Sequence, residues 1–187
     1  EIYQLYNQKK KISLKEQNYD INVVNAFLKD SSEIEQNLLK VEDVMSDLIE
    51  LNKIKDWGEN NLSTNIKKEF LKTIISLYGK FKLKLNGNGE GTKGMCYSEA
   101  VASLEHYKQA NINRRFIFIG LNALSKAEEI IIKELIQINS GDVYWDIDSA
   151  AFKNHNHSAS FHIRKYRKEW NFYSKNKFKW LNEDFNS

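Results

Sequence analysis

The segment that most constrains the fold is an apolar run followed by a glycine turn and a capped helix. It reads RRFIFIGLNALSKAEEIIIKELIQ and covers residues 114–137. A continuous apolar run of this length is typical of a buried strand in a parallel sheet. Ser125 and Glu128 have the spacing of a capping box, so we predict that a helix begins there and continues to about Ile138.

A second short strand completes a βαβ unit. The sequence GDVYWDID predicts this strand from Val143 to Asp146. Strand, helix and strand within about 35 residues form a βαβ unit, whose crossover is expected to be right-handed. Because two strands alone make a weak sheet, we expect further strands from sequence outside this chain or from residues 1–10.

The chain before this unit is predicted to be helical. A first helix over residues 31–54 would begin with Ser32 and Glu35 at capping-box spacing, and a third would span residues 97–109. The second helix, over residues 63–85, has apolar positions at helical spacing: Ile66, Phe70, Ile74, Leu77 and Phe81. The predicted fold class is therefore α/β and mostly helical, with a helical lobe over residues 1–112 and a partial α/β domain over residues 113–187.

Composition limits the class of protein. The net charge of the 187 residues is only +3, so the distribution of charge says more about partners than its sum. One cysteine, Cys96, excludes an internal disulfide and fits a reducing, cytoplasmic compartment, where we expect a buried structural thiol. The sequence has no long apolar run and no visible signal peptide, so no membrane partner is expected. The chain starts at Glu1 rather than Met, and we expect it to be a fragment of a larger protein.

The only glycine cluster is NGNGEGTKGM, residues 86–95. Glycine-rich loops of this kind hold phosphate when a strand precedes them and Gly-Lys-Ser/Thr closes them. Neither condition is met here, so we predict a connection between two helices.

Two groups of residues raise the alternative of a metal site. Asp146 ends the second strand and Asp148 follows it, and both have the oxygen ligands that Mg²⁺ prefers, although Asp148 also suits a helix cap. His155, His157 and His162 lie within eight residues, which suits either Zn²⁺ or capping and packing. A metal-dependent hydrolase using Asp146, Asp148, His155 and His157 therefore stays open as an alternative function.

The end of the chain is rich in basic and aromatic residues, the combination that binds single-stranded nucleic acid. A helix is predicted over residues 158–168. The alternative is an amphipathic segment that packs its aromatic side chains into the core. The candidate nucleic-acid-binding residues here are Arg164, Lys165, Arg167, Lys168, Trp170 and Lys177.

Three segments together resemble one family. FIFIGLNALSKAEEIIIKEL, DVYWDID and NHSASFHIRKY resemble consecutive signatures of AddB-like proteins of Bacteroidetes. Those are large proteins with a degenerate superfamily 1 helicase region and a C-terminal PD-(D/E)XK nuclease domain. GTKGMCYSEAV, residues 91–101, resembles a further segment of the family, with Ser98 where arginine is usual. The resemblance covers about residues 91–170.

The resemblance implies a P-loop NTPase-like, superfamily 1 helicase-like fold in a protein of double-strand break repair. In active helicases the corresponding strand ends in an Asp-Glu pair that holds Mg²⁺ and activates water. Here Ile119 and Gly120 occupy those places and Asn122 follows, so the site is degenerate. We accordingly expect no catalytic residue, no metal and no cofactor in this chain. The implied partners are DNA, as single strands or duplex ends, and a helicase-nuclease subunit, with Arg114 and Arg115 as further DNA contacts. A third alternative is a helical module that binds another protein.

Overall fold

The computed structural model describes residues 14–55 and 62–175. This part of the chain is mostly helical, as predicted, and none of its helices is both long and apolar enough to cross a membrane. Its contacts divide into an N-terminal unit ending at Glu99 and a C-terminal unit beginning at Ala100. In chain order the elements are helices α1 (Leu14–Gln36), α2 (Val41–Lys55), α3 (Leu62–Gly87), α4 (Lys93–Ala102) and α5 (Leu104–Ala110), strand β1 (Ile117–Ile119), helix α6 (Lys126–Leu135), strand β2 (Asp142–Tyr144), helix α7 (Ser149–Lys153), a 3₁₀ helix (Ser158–Ser160), and helices α8 (Phe161–Glu169) and α9 (Phe172–Lys175).

The predicted first helix is wrong, because parts of two helices occupy its residues. Helix α1 ends in a Schellman turn, in which the Leu39 amide donates to the Ile34 carbonyl at 3.2 Å and the Leu38 amide donates to the Glu35 carbonyl at 2.9 Å. Leu38 has a φ of +59°, the left-handed conformation that ends a helix. Ser32 therefore lies inside α1 and is not an N-cap.

The core of the N-terminal unit lies between α1, α2 and α3. The Phe27 and Tyr78 rings meet edge to face, with centroids 5.5 Å apart. Burial, with the nearby Glu35 carboxylate, raises the pKa of the Tyr78 phenol well above its usual range. Among the residues predicted for the second helix, Ile74 and Leu77 are buried, whereas the side chains of Ile66 and Phe70 lie outside those described. The buried members of this core are Val24, Phe27, Val41, Met45, Ile74 and Tyr78.

A polar cluster fixes the connection between α3 and α4 against α1. The buried Glu35 carboxylate lies 2.7 Å from the Lys82 ammonium and accepts a hydrogen bond from the Thr92 hydroxyl at 3.3 Å. The Gly94 amide donates to the Ser32 hydroxyl at 2.9 Å. The glycine cluster therefore joins two helices, as predicted. The predicted third helix is split at Ser103 into α4 and α5, and Cys96 on α4 is exposed rather than buried.

The predicted βαβ unit is confirmed in the C-terminal unit. Strands β1 and β2 are parallel, with Phe118 opposite Val143, and α6 connects them. Ser125 and Glu128 form the predicted capping box, because each side chain accepts a hydrogen bond from the other residue's backbone amide. Within the part of the chain that the structure describes, the sheet has two strands, and the suggested strand in residues 1–10 lies outside that part.

The prediction that the first strand is buried is wrong in these residues. Ile117 is 54% exposed and Ile119 is 75% exposed, whereas Phe118 between them is half-buried. Alternate residues of a strand point to opposite faces, so one face of β1 packs inward and the other faces outward. Tyr144 on β2, opposite Ile119, is also exposed. The sheet therefore carries an apolar face that the described residues do not cover.

Aromatic side chains of α8, of α9 and of Trp170 between them pack against the inner face of the sheet. Trp170 and Tyr166 are 2% exposed, and their rings lie 5.0 Å apart between centroids. Trp145, after β2, lies 5.7 Å from Tyr166 and donates a hydrogen bond from its indole to the Tyr173 hydroxyl at 2.6 Å. The predicted helix over residues 158–168 is confirmed as the 3₁₀ helix followed by α8. The aromatic residues Tyr166 and Trp170 thus belong to the core.

Candidate nucleic-acid interface

The strongest candidate site is an open groove formed by α7, α8 and their connection. Its volume is about 950 Å³. Five of the residues that line it are lysine or arginine, against one carboxylate, so the groove is suited to an anion. We refer to it as the basic groove, and its lining residues are Phe152, Lys153, His155, Phe161, Arg164, Lys165, Arg167, Lys168 and Glu169.

Local capping bonds build the α7 side of the basic groove. The Asp148 carboxylate accepts hydrogen bonds from the amides of Ala150 at 2.7 Å and Ala151 at 3.1 Å, which begins α7. His157 Nδ1 accepts from the Ala159 amide at 3.3 Å and begins the 3₁₀ helix. Both residues therefore act as helix caps.

Arg164 holds the connection between α7 and α8 in place. Its guanidinium donates to the carbonyl oxygens of Asn154, His155 and His157, each at 3.0 Å, and to the hydroxyl of the fully buried Ser160. It also reaches the last carbonyls of α7, at Ala151 and Phe152, at 3.5 Å. A guanidinium has five N–H donors in a fixed fork, and most are directed at the protein backbone here. Arg164, one of the predicted DNA contacts, therefore holds the groove in shape.

The other cations of the basic groove are exposed. Lys165 has 48% of its side chain exposed and lies 4.0 Å from the Glu169 carboxylate, a weak surface pair. Lys153 and Lys168 are also exposed. Arg167 places its guanidinium 5.4 Å from the Phe152 ring centroid, a cation–π contact that covers the buried Phe152. Three lysines therefore have ammonium groups that can meet phosphate.

Trp170, predicted as a stacking residue, lies in the core instead. It is 2% exposed, and its indole N–H donates to the buried Glu129 carboxylate at 3.3 Å. Tyr166 is equally buried, and its hydroxyl accepts a hydrogen bond from the Leu124 amide at 2.9 Å. Burial is the main reason that the pKa of the Tyr166 phenol is raised. Neither ring offers a free face in the basic groove, so the packing alternative applies to both.

Arg114 and Arg115, which were also predicted as DNA contacts, do not line the groove. Arg114 and Arg115 are exposed and precede the amino end of β1, and Arg115 forms an ion pair with Asp142. Lys177 lies outside the described residues. Among the predicted contacts that the structure describes, those that it brings together in the groove are the α8 members.

The predicted degenerate nucleotide site lies at the carboxyl end of β1. Ile119 ends the strand, and Gly120 has a φ of +72° and donates from its amide to the Tyr144 carbonyl at 3.0 Å. Asn122 is exposed in the loop before α6. The first two positions supply no carboxylate for a metal ion or for activating water.

The metal-site alternatives receive no geometric support in the part of the chain described. No group of three or more histidine, cysteine, aspartate or glutamate residues there is placed to hold a metal ion. Asp148 and His157 already cap helices. The histidines His155 and His162 have separate positions, one lining the basic groove and the other in ring contact with Phe161.

Comparison with known proteins does not assign this chain to a family. No family model, no curated protein and no solved structure matches the chain.

Among the groove residues that sequence reasoning missed are Lys153 and Phe161. Lys153 ends α7, and the tertiary fold places it in the same groove as Lys165 and Lys168. Phe161 could have been found from spacing, because residues at i, i+4 and i+7 of a helix share one face and Phe161, Lys165 and Lys168 have that spacing.

Proposed function

We propose that the C-terminal unit contacts DNA through the basic groove, with Lys153, Lys165 and Lys168 binding backbone phosphates. The observation that supports this is the convergence of five cationic side chains on one open groove with a single carboxylate. The chain's net charge is only +3, so this clustering is local rather than a consequence of overall composition. Lysine contacts to phosphate release counterions and dominate the affinity of such interfaces.

The resemblance to AddB-like proteins supports a wider proposal. Under this wider proposal, the chain is part of a helicase-nuclease of double-strand break repair and recombination. The C-terminal unit would be a helicase-like scaffold of P-loop NTPase type that has lost ATP hydrolysis, because Ile119 and Gly120 replace the required acids. Phosphate release from ATP above background by the purified chain would contradict the loss of hydrolysis.

Charge reversal in the basic groove tests the DNA-binding proposal. We expect Lys153→Glu, Lys165→Glu and Lys168→Glu together to weaken binding of a labelled oligonucleotide at low salt by tenfold or more, on the order expected when about three phosphate contacts are lost. The matched control reverses three exposed lysines of the N-terminal unit, Lys29, Lys40 and Lys80, and changes the net charge equally. We expect the control to bind within about threefold of the parent, because no groove contact is lost.

The proposal fails if the parent chain does not bind DNA at low salt. It also fails if both triple variants weaken binding equally, because net charge rather than the groove would then determine affinity. Fluorescence anisotropy measures these affinities, and circular dichroism verifies that each variant is folded.

One observation favours the alternative that this chain binds another protein, such as a helicase-nuclease subunit. The outer face of the sheet exposes Ile117, Ile119 and Tyr144. Apolar side chains grouped on one sheet face are typical of a surface that packs against another layer. Cross-linking that captures no partner through this face in a cell extract would count against this alternative.

A further inference from the structure

We propose that the basic groove binds single-stranded rather than duplex DNA, and that Phe161 is the residue on which a base stacks. This inference rests on the proposed function and adds to it a strand preference and a residue that determines it.

Phe161 lies in one row with two of the groove lysines. Phe161 begins α8, Lys165 follows four residues later and Lys168 seven residues later, so all three share one face of the helix. At a rise of 1.5 Å per residue this row is about 10 Å long. A strand lying along α8 can therefore contact the ring and both ammonium groups at once.

Phe161 is exposed in the groove and available to a ligand. Its side chain is 59% exposed in the groove, whereas Phe152, the other phenylalanine of the lining, is only 6% exposed. An exposed ring bordered by lysines is the combination with which proteins hold single strands, since cations meet the backbone and the ring meets a base.

The ring of Phe161 also has a neighbouring ring within the protein. It meets the His162 ring nearly at a right angle, with centroids 5.2 Å apart. His162 in turn lies 6.3 Å from the ring of Tyr166, which is buried in the core. A ring that already has such a contact on one side loses less conformational freedom when a base stacks on its exposed side, which favours binding.

These features select single strands for a physical reason. In a duplex each base already stacks on its neighbours and pairs with its partner, so a protein ring reaches a base face only after unpairing. Lysine contacts to phosphate are available in both forms and do not discriminate. The preference for single strands therefore depends on Phe161.

The test compares three labelled probes of equal length: a thymidine single strand, an abasic single strand and a duplex. The full chain is expected to bind the thymidine strand at least about fivefold more tightly than the abasic strand, given the usual contribution of one base–ring stack. Phe161→Ala should remove that difference while leaving affinity for the abasic strand unchanged, and Phe161→Trp should restore it. Tyr144→Ala, which removes an exposed ring outside the groove lining, is the matched control and should behave as the parent.

The outcomes distinguish failure of the single-strand preference from failure of the proposed DNA binding. Equal binding of all three probes that still depends on the groove lysines would overturn the inference and leave the proposed function standing. Retention of the thymidine preference by Phe161→Ala, or tighter binding of the duplex, would also overturn the inference. Absence of binding to every probe at low salt would overturn both.

Discussion

At the scale of single residues, Arg164 shows how a cation can be committed to the fold. Its guanidinium reaches five backbone carbonyls between Ala151 and His157, and the hydroxyl of Ser160. Each unpaired carbonyl in a tight connection carries a cost, and one guanidinium satisfies several of them at once. Arg164 is therefore a structural residue beside exposed lysines that are available to a ligand.

Replacing Arg164 is expected to destabilise the C-terminal unit. Arg164→Met keeps the length and apolar contacts of the side chain but removes its donors. We expect it to lower the free energy of unfolding by about 2 kcal/mol, the usual contribution of hydrogen bonds to a charged group. Urea denaturation followed by tryptophan fluorescence measures this. Lys165→Met, which removes an exposed cation one residue away, is the control and should change stability by less than about 0.5 kcal/mol. Equal stability of the two variants would contradict the structural role of Arg164.

At the scale of elements, the approach of α4 to α1 depends on the absence of a side chain at Gly94. A Cβ atom there would lie 2.5 Å from the Ser32 carbonyl oxygen, 2.9 Å from the Ser32 Cα and 2.8 Å from the Glu35 Cβ. Backbone atoms cannot move aside as the end of a flexible side chain can. The polar cluster around Glu35 is thus built on a close helix–helix contact.

Two alanine substitutions are expected to change stability in opposite directions. Gly94→Ala should destabilise the N-terminal unit by about 1–3 kcal/mol, because overpacking must displace α4 from α1. Gly79→Ala, the matched control inside α3, meets nothing within 4 Å and should raise stability by about 0.5–1 kcal/mol through helix propensity. Thermal unfolding of the two variants measures the difference. A Gly94→Ala variant as stable as the parent would show that the two helices are not packed so closely.

Two of the three Ser-x-x-Glu patterns in this sequence show what local sequence can predict. Ser125 and Glu128 follow a strand and a turn, so the backbone amides at that point need partners and the capping box forms. Ser32 and Glu35 have the same spacing but lie inside α1, where the backbone is already paired. The pattern alone does not distinguish these cases, because a capping box forms only where no helix already precedes the serine. The βαβ unit was predictable because each of its signals is local.

The candidate site was less predictable than the fold. The basic α8 residues were visible as a cluster, but their roles depend on burial, which differs between Lys168 and Trp170 only two residues apart. Lys153 enters the groove through the packing of α7, a tertiary contact that composition and spacing do not encode. The exposure of Ile117 and Ile119 likewise depends on which layers cover the sheet, and a continuous apolar run indicates only that both faces favour burial.

For the whole molecule, local clustering of charge matters more for DNA binding than the net charge does. Twenty-eight lysine and arginine residues nearly balance 25 acids. Long-range attraction of DNA to the chain is therefore weak, and binding must come from the few cations that a strand can contact together. We accordingly expect affinity to depend strongly on the three groove lysines and little on lysines elsewhere.

The salt dependence of DNA binding tests this account most directly. For three phosphate contacts on a single strand, the slope of log Kobs against log salt concentration should be about −2. In a variant in which Lys153, Lys165 and Lys168 are replaced by glutamine, the slope should approach zero. These phosphate contacts are then absent, so their formation no longer releases counterions. A neutralised variant that keeps the parent's slope would contradict the account, since the phosphate contacts would then lie outside the basic groove.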